Sequence, residues 1–156
     1  MGKKKLSLPY KGEPLWQRSL APFLSSSLIY EVIVVVQPKD FFMYSNESFK
    51  VVVNPDFEEG MGSSLRTGIK AASLQAEAFL LSLADMPEIR GEHIEAVVEA
   101  FEASEKGIAL PLCLGRRGHP VLLDAKHRDA LSSVQGDQGA RGILRAHPED
   151  IIFVES

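Results

Sequence analysis

The 156-residue sequence has almost no cysteine, since Cys113 is the only one. A single thiol cannot build a disulfide framework and supplies too few ligands for a zinc cage. Hydrophobic residues make up 45% of the chain, which excludes a disordered or collagen-like polypeptide. This length and composition predict one compact domain that spans residues 1–156.

Long hydrophobic runs are also missing. The longest, residues 32–36 and 79–83, are far shorter than the ~20 residues that a membrane-spanning helix needs. The charged start, residues 1–6, is not followed by the apolar stretch of a secretory signal, and Leu6 stands where a myristoylation signal needs serine or threonine. We therefore expect a cytoplasmic protein with no membrane partner.

An excess of positive charge is absent as well. The sequence has 17 Lys and Arg against 21 Asp and Glu, so its formal net charge is -4 at pH 7. Proteins that bind nucleic acids obtain most of their affinity from cationic side chains that neutralise phosphates. We expect no nucleic-acid partner.

Several short segments are rich in apolar residues without polar alternation. Such runs indicate strands that are buried on both faces and that need helices on either side of the sheet. The second and third of the runs end at turn-forming residues, whereas the last is shorter and weaker. The predicted strands are residues 31–36, 50–53, 78–84 and 107–111.

Apolar residues at helical spacing lie between these strands. They predict an amphipathic helix from Ser63 or Ser64 to Leu74 and another over residues 91–105. An earlier helix is predicted over residues 14–27, with Pro22 as a kink or boundary. The alternation predicts an α/β domain with a mainly parallel sheet, which has a loop-like start and a less regular tail ending at residues 151–154.

Ligands of open α/β sheets bind beyond the carboxyl ends of the strands, and Asp85 follows the third predicted strand in the segment Asp85-Met86-Pro87. A carboxylate at that position could hold Mg²⁺, which proteins bind through one or two carboxylates together with substrate phosphates. Asp is also common in turns, so a structural role for Asp85 stays open.

The second predicted strand leads into a glycine-bearing loop, residues 54–62, and then to Ser63 and Ser64 at the start of a helix. Free N–H groups and the helix dipole make such a start a natural contact for an anion or a nucleotide. Either serine could instead be only a helix N-cap, which explains the serines but not the two glycines beside them.

Residues 115–120 read Gly-Arg-Arg-Gly-His-Pro. The guanidinium groups of Arg116 and Arg117 suit phosphate, so this segment is a candidate site for a phosphorylated second substrate. The alternative is that the arginines are only solvated and that His119 is an ordinary loop histidine.

Residues 136–141, Gly-Asp-Gln-Gly-Ala-Arg, open a predicted helix that runs towards His147. Asp137 is a good N-cap for that helix. The alternative is that Asp137 faces Asp85 and completes a metal site, with Arg141 nearby. The lysines near the start could neutralise phosphates or stay hydrated; they are Lys3, Lys4, Lys5 and Lys11.

In this order and spacing the motifs resemble the MobA-like NTP transferase family, and most closely its branch of molybdenum cofactor cytidylyltransferases. The resemblance covers essentially the whole chain. The last two motifs are the ones that point to the cytidylyltransferase branch. The matching segments are residues 1–6, 8–9, 12–15, 54–55, 60–65, 85–87, 115–120 and 136–141.

The resemblance implies a Rossmann-like, three-layer nucleotidyltransferase domain in which an Mg²⁺-nucleotide binds at the strand ends. The implied reaction is in-line attack by the phosphate of molybdopterin, or of its molybdenum-loaded form, on the α-phosphorus of CTP, with release of pyrophosphate. Such chemistry depends on positioning and charge neutralisation, not on a nucleophilic side chain. GTP is the alternative nucleotide, and a molybdoenzyme maturation chaperone is a further implied partner.

The resemblance also implies roles for individual residues. Lys5 corresponds to the lysine that contacts the triphosphate and Asp85 to the Mg²⁺ ligand, so these two are the implied catalytic residues. Asp137 is the implied second metal ligand. The other implied nucleotide contacts are Asn54, Gly62, Ser63 and Ser64, and the implied pterin-side residues are Arg117, Gly118, His119, Pro120 and Arg141.

The sequence departs from the family at its start. The family begins with a strand and a glycine-rich loop that ends in Arg-Met-Gly-x-x-Lys, whereas this sequence begins at the Met-Gly of that signature. We therefore expect a sheet that lacks its usual first strand. Either the gene product starts upstream of Met1, or the chain is a shortened, non-catalytic relative that binds pterin or a chaperone.

Overall fold

Helices and strands alternate along most of the computed structural model, which describes residues 2–44 and 48–155. In chain order the elements are α1 (Gly2–Ser7), β1 (Pro9–Tyr10), β2 (Glu13–Pro14), α2 (Leu15–Ser25), β3 (Ile33–Val36), α3 (Phe41–Tyr44), β4 (Lys50–Val53), α4 (Met61–Ala71), β5 (Ala78–Leu81), α5 (Gly91–Glu102), β6 (Ile108–Cys113), β7 (Arg116–Arg117), β8 (Val121–Asp124), α6 (Arg128–Leu131), α7 (Arg141–Ala146) and β9 (Ile151–Glu155).

The described chain divides into two units, each assembled from separate stretches of sequence. Unit 1 contains residues 2–30, 79–123 and 151–155. Unit 2 contains residues 31–44, 48–78 and 124–150. A single domain over residues 1–156 therefore stays a prediction.

The start of unit 1 is helical, so the prediction of a loop-like start is wrong: residues 2–7 form α1. A short antiparallel hairpin of β1 and β2 follows. Its two connecting residues, Lys11 and Gly12, have φ angles of 50° and 89°. Positive φ at both central residues is what a tight hairpin turn of matching twist requires, and glycine adopts it without steric cost.

Helix α2 confirms the predicted early helix and contradicts one of the two predicted roles of Pro22, that of a boundary. Pro22 lies inside α2, which continues to Ser25. A proline within a helix removes one backbone donor without necessarily ending the helix. The helix is retained because one face is buried in unit 1, through Leu15, Trp16, Ser19 and Phe23.

The core of unit 1 is a five-stranded sheet with the order β5-β8-β6-β7, in which β9 also pairs with β6. Strand β6 is its most buried element, and Ile108, Ala109 and Leu110 are fully buried. Helix α5 packs against β6 and β9 and buries Ile94 and Val97 completely. The acidic residues of α5 remain on its exposed side, as amphipathic spacing requires.

Three parts of this sheet differ from the sequence-based expectation. The tail predicted to be irregular forms strand β9, residues 151–155. Strand β8 was not predicted, and the segment of residues 115–120, predicted as a loop, contains the short strand β7. Strand β9 owes its conformation to pairing with the distant strand β6, whereas β7 and β8 pair with β6 from nearby in the sequence.

Unit 2 contains the parallel pair of β3 and β4, whose register matches Ile33 with Lys50 and Val36 with Val53. Helix α4 packs against both strands. Of the eight paired residues only Val36 is buried, so the expectation that both strands are buried on both faces is only partly met.

Parallel pairing accounts for the longest ladders. Strands β3 and β4 pair at four positions, and β6 and β9 pair at five. The antiparallel pairings of β6 with β7 and with β8 each extend over two positions. The predicted α/β class with a mainly parallel sheet is confirmed. Among residues 2–44 and 48–155, no helix combines the length and apolarity needed to cross a membrane.

Candidate functional site

Helix α1 and the loop after β5 bring together the two residues that the sequence marks as catalytic. Lys5 Nζ lies 3.3 Å from Asp85 Oδ2, and the two side chains are 51% and 40% exposed. An ion pair this exposed contributes only about 0–1 kcal/mol to stability and exchanges easily for other partners. The pair is therefore available to a ligand. Lys3 and Lys4 lie outside the side chains that the structure describes.

A second contact joins the β1–β2 hairpin to the same loop of unit 1. The Tyr10 hydroxyl donates to Glu88 Oε1, three residues beyond Asp85, and Lys11 Nζ lies 5.2 Å from the centroid of the Tyr10 ring. The β1–β2 hairpin is thus tethered to the loop that carries Asp85. Tyr10 and Glu88 were missed in the sequence because 78 positions separate them.

The donor set of Asp85 fits a hard divalent cation. An exposed carboxylate is the ligand type that Mg²⁺ prefers, with phosphate oxygens and waters completing its octahedron. Within the described chain, no three His, Cys, Asp or Glu side chains converge into a metal-binding group. Asp85 belongs to unit 1 and Asp137 to unit 2, so a metal shared by the two carboxylates stays a prediction.

In unit 2, Asn54 organises the glycine-bearing loop from its buried position. It is 1% exposed, and its Nδ2 donates to Ser63 Oγ at 2.8 Å and to Ser64 Oγ at 3.1 Å. Its Oδ1 accepts from the Asp56 N–H at 3.0 Å. Ser63 is also buried, at 2%. The nucleotide contacts predicted for these residues stay predictions, and Ser64 is the most accessible of the three.

The two glycine motifs of unit 2 pack directly on one another. The Gly62 N–H donates to the Gly136 carbonyl at 2.8 Å, and a Cβ on Gly62 would lie only 2.8 Å from that carbonyl oxygen. Gly60 has a φ of 104°, a conformation that side chains rarely tolerate. These glycines are explained by a close approach of two backbone segments.

The first N–H groups of α4 already have acceptors, so the expectation of free N–H groups at this helix start is wrong for residues 61–63. The Met61 N–H donates to Asp137 Oδ1 at 3.0 Å, Gly62 donates to Gly136, and Ser63 donates to the Gly60 carbonyl at 3.2 Å. An anion would have to displace these contacts to bind the helix start.

The role predicted for Asp137 as N-cap of its own helix is also wrong. Helix α7 begins at Arg141, and its N-cap is Ala140 without a side-chain hydrogen bond. Asp137 instead places its carboxylate at the N-terminus of α4, where the positive end of the helix dipole stabilises an anion.

Substitutions of Asp137 test its role as the cap of α4. We expect Asp137→Ala to lower the free energy of unfolding by about 1 kcal/mol, because the Met61 N–H loses its acceptor. Asp137→Asn keeps an acceptor oxygen and should retain most of that stability. Urea denaturation measures both changes. Equal losses from Ala and Asn would contradict the cap.

Arg66 ties together the two loops that flank the start of α4. Its guanidinium donates to the Val134 carbonyl and to Glu59 Oε2, both at 2.6 Å, and its side chain is 20% exposed. Planar guanidinium groups suit such two-sided contacts. Val134 lies 68 positions away, so no local pattern in the sequence reveals this clamp.

The predicted pterin-side segment in unit 1 is an ordered hairpin end. Arg117 pairs with Leu112 in the antiparallel register of β7 and β6, and its guanidinium lies 5.7 Å from the centroid of the Phe153 ring. The Gly118 N–H donates to the Pro111 carbonyl at 2.8 Å. Phe153, on β9, is a neighbour of Arg117 that the sequence did not indicate.

The other predicted pterin-side residues have different surroundings. His119 is half-buried and Pro120 is buried in unit 1. Arg141 is exposed at the start of α7 in unit 2. The grouping of Arg141 with the other four therefore stays a prediction.

Burial affects the titration of Tyr44, at the end of α3. Burial, and then the nearby carboxylate of Asp40, raise the pKa of Tyr44 above its ordinary value of 10.0. Both effects disfavour the phenolate. The phenol therefore stays protonated at neutral pH and cannot act there as a base.

The fold and the motif loops define an α/β nucleotidyltransferase-type protein. The family model described as "MobA-like NTP transferase domain" matches residues 1–151. This chain belongs to the MobA-like NTP transferase family, which is a family of nucleotidyltransferases.

Two curated proteins are similar to nearly the whole chain. The purine catabolism protein PucB of Bacillus subtilis (strain 168) is 31% identical over 157 residues, which covers 94% of this chain and 75% of PucB. Nicotine blue oxidoreductase of Paenarthrobacter nicotinovorans is 32% identical over 154 residues, covering 92% of this chain and 74% of that protein.

Solved structures share the fold at low sequence identity. Rv0371C from Mycobacterium tuberculosis H37Rv, crystallised as a complex with manganese, has a TM-score of 0.85 at 18% identity, covering 99% of this chain and 83% of its own. CMP:2-keto-3-deoxy-manno-octonic acid synthetase complexed with CTP has a TM-score of 0.77 at 12% identity, covering 97% and 83%. These likenesses support the α/β nucleotidyltransferase fold.

Proposed function

We propose that this protein transfers CMP from CTP to the phosphate of molybdopterin or molybdenum cofactor. A phosphate oxygen of the acceptor forms a bond to the α-phosphorus of CTP, and the bond from that phosphorus to the bridging oxygen breaks as pyrophosphate leaves. The observation that carries the proposal is the exposed Lys5–Asp85 pair. A molybdoenzyme maturation chaperone as partner and a cytoplasmic location belong to the same proposal.

The Lys5–Asp85 pair is suited to exchange its partners when substrate arrives. Lys5 is a compact, mobile cation that can turn from Asp85 to the triphosphate, where it neutralises negative charge. Asp85 is then released to hold a divalent cation, with Asp137 as the proposed second carboxylate. Bound Mg²⁺ would supply charge neutralisation at the phosphate oxygens.

The acceptor side of the proposal depends on Arg117, residues 118–120 and Arg141. A guanidinium group binds phosphate through two parallel hydrogen bonds and also stacks on planar rings. Arg117 is exposed and already lies over an aromatic ring. It is therefore a suitable contact for a substrate that combines a phosphate with a flat heterocycle.

A thermal-shift experiment tests the nucleotide. A ligand that binds only the folded state stabilises it by about 2.7 kcal/mol at a concentration one hundred times its Kd. We expect CTP with Mg²⁺ to raise the melting temperature of this chain more than ATP, GTP or UTP does. The matched control is each nucleotide with EDTA in place of Mg²⁺.

Each result of this series leads to a different conclusion. A larger rise with GTP would assign guanylyl transfer. A cooperative melt that no nucleotide shifts would contradict nucleotidyl transfer by this chain and favour the non-catalytic alternative. Turnover is then measured with CTP and molybdopterin by the release of pyrophosphate.

A redox role is a second candidate, because a relative 32% identical over 92% of this chain is named an oxidoreductase. Hydride transfer needs a nicotinamide or flavin cofactor. Adding NADH and NADPH to the same thermal series separates the two candidates. A rise with a reduced nicotinamide nucleotide and none with CTP would favour the redox role.

A further inference from the structure

Asn54 holds a fixed position at the carboxyl end of β4. Its backbone N–H donates to the Val36 carbonyl, the last residue of β3, at 2.8 Å. Its side chain is 1% exposed and connects this strand end to the first turn of α4. Because the residue is buried and held from both sides, its amide group has a single orientation.

The hydrogen bonds determine the orientation of the side-chain amide of Asn54. The backbone N–H of Asp56 can only donate, so the side-chain atom that faces it at 3.0 Å must be the oxygen of Asn54. The NH₂ group therefore faces the two serines, at 2.8 Å from Ser63 Oγ and 3.1 Å from Ser64 Oγ. Both serine oxygens must accept.

The hydroxyl protons of Ser63 and Ser64 then differ in their hydrogen bonding. Ser63 donates its proton to the Gly60 carbonyl at 2.8 Å, so its only hydrogen-bond donor is used. Ser64 accepts from Asn54, but within the part of the chain that the structure describes its own proton meets no acceptor. Ser64 is only half-buried, so its hydroxyl can reach a bound molecule.

We propose that Asn54 is a positioning residue that makes Ser64 a hydrogen-bond donor towards the bound nucleotide. The partner of Ser64 is then an acceptor atom, either a ring nitrogen or carbonyl oxygen of the base or an oxygen of the triphosphate. This inference rests on the proposed nucleotidyltransferase function and adds to it the polarity of one contact.

Removal of the donor tests the inference directly. Ser64→Ala should weaken CTP binding by roughly three- to tenfold, the usual loss for one hydrogen bond. It should raise KM for CTP and leave kcat nearly unchanged, because the contact is made equally in the ground state and the transition state. Thr67→Val is the matched control, since it removes another hydroxyl of α4, one that donates to the Ser63 carbonyl at 2.8 Å, and should leave the Kd for CTP within about twofold.

Inversion of the amide polarity tests the role of Asn54. In Asn54→Asp a carboxylate oxygen faces Ser64 and accepts its proton, so the outward donor is lost while Ser64 stays in place. This variant should lose as much CTP affinity as Ser64→Ala does, and the double variant should lose little more. If Asn54→Asp does not melt cooperatively, the comparison of Ser64→Ala with Thr67→Val decides.

Cytidine and tripolyphosphate, used as separate probes, show which part of the nucleotide carries the acceptor atom. A Ser64→Ala loss seen with cytidine assigns the contact to the base, and a loss seen with tripolyphosphate assigns it to phosphate. Wild-type CTP affinity in Ser64→Ala would overturn this inference and leave the proposed function standing. A wild-type chain that binds no nucleotide would overturn both.

Discussion

Asp85→Asn should reduce nucleotidyl transfer by at least about a hundredfold and leave the melting temperature almost unchanged. Asparagine has nearly the same shape but carries no charge, so it is a poor ligand for a divalent cation and a poor partner for Lys5. Loss of one electrostatic stabiliser in an active site costs about 10²–10³ in kcat. Release of pyrophosphate from CTP measures the effect.

A matched control separates the position of Asp85 from the general loss of one surface charge. Glu92 is an exposed carboxylate that pairs with Arg90 at the start of α5. Glu92→Gln removes the same charge and should change the rate by less than about twofold. Full activity in Asp85→Asn would show that Asp85 does not hold the metal.

Leu110→Ala should lower the free energy of unfolding by about 3 kcal/mol, as expected for the truncation of a fully buried leucine. Leu110 lies in the middle of β6, is fully buried and is in register with Phe153 of β9. Its removal leaves a cavity that the flanking strands cannot easily fill. Urea denaturation followed by circular dichroism gives the change.

Leu114 provides the control for this truncation within the same hairpin. It is 96% exposed, four residues after Leu110, so Leu114→Ala removes the same atoms from a site already in contact with water. The expected change is within about 0.5 kcal/mol. Similar losses in the two variants would mean that β6 is not the centre of the core of unit 1.

The sequence predicts those elements that are specified by their own residues. The β-branched run that ends at Asn54 gives β4 with its observed bounds, residues 50–53. The amphipathic pattern of α5 gives its first residue, although the helix ends three residues earlier than predicted. Strands β8 and β9 were not predicted, because their conformation depends on pairing with β6 and not on a local pattern.

The sequence predicted the proposed catalytic residues of the candidate site but not the contacts that hold its loops. Lys5 and Asp85 were identified by the family signature and lie together in the structure. The contacts that organise the loops were not, since Arg66 and Val134 or Met61 and Asp137 are 68 and 76 positions apart. A single sequence names residue types that suit a chemistry, but it does not show which long-range partners occupy their donors and acceptors.

The parallel pairing of β9 with β6 bears on the order in which the protein is made and folded. Residues 151–155 are synthesised after β6, yet they pair with it directly. Until then the apolar edge of β6 is open to pairing with other chains. Nascent or truncated chains that stop before residue 151 should therefore aggregate and depend on chaperones, whereas a chain that includes β9 closes that edge itself.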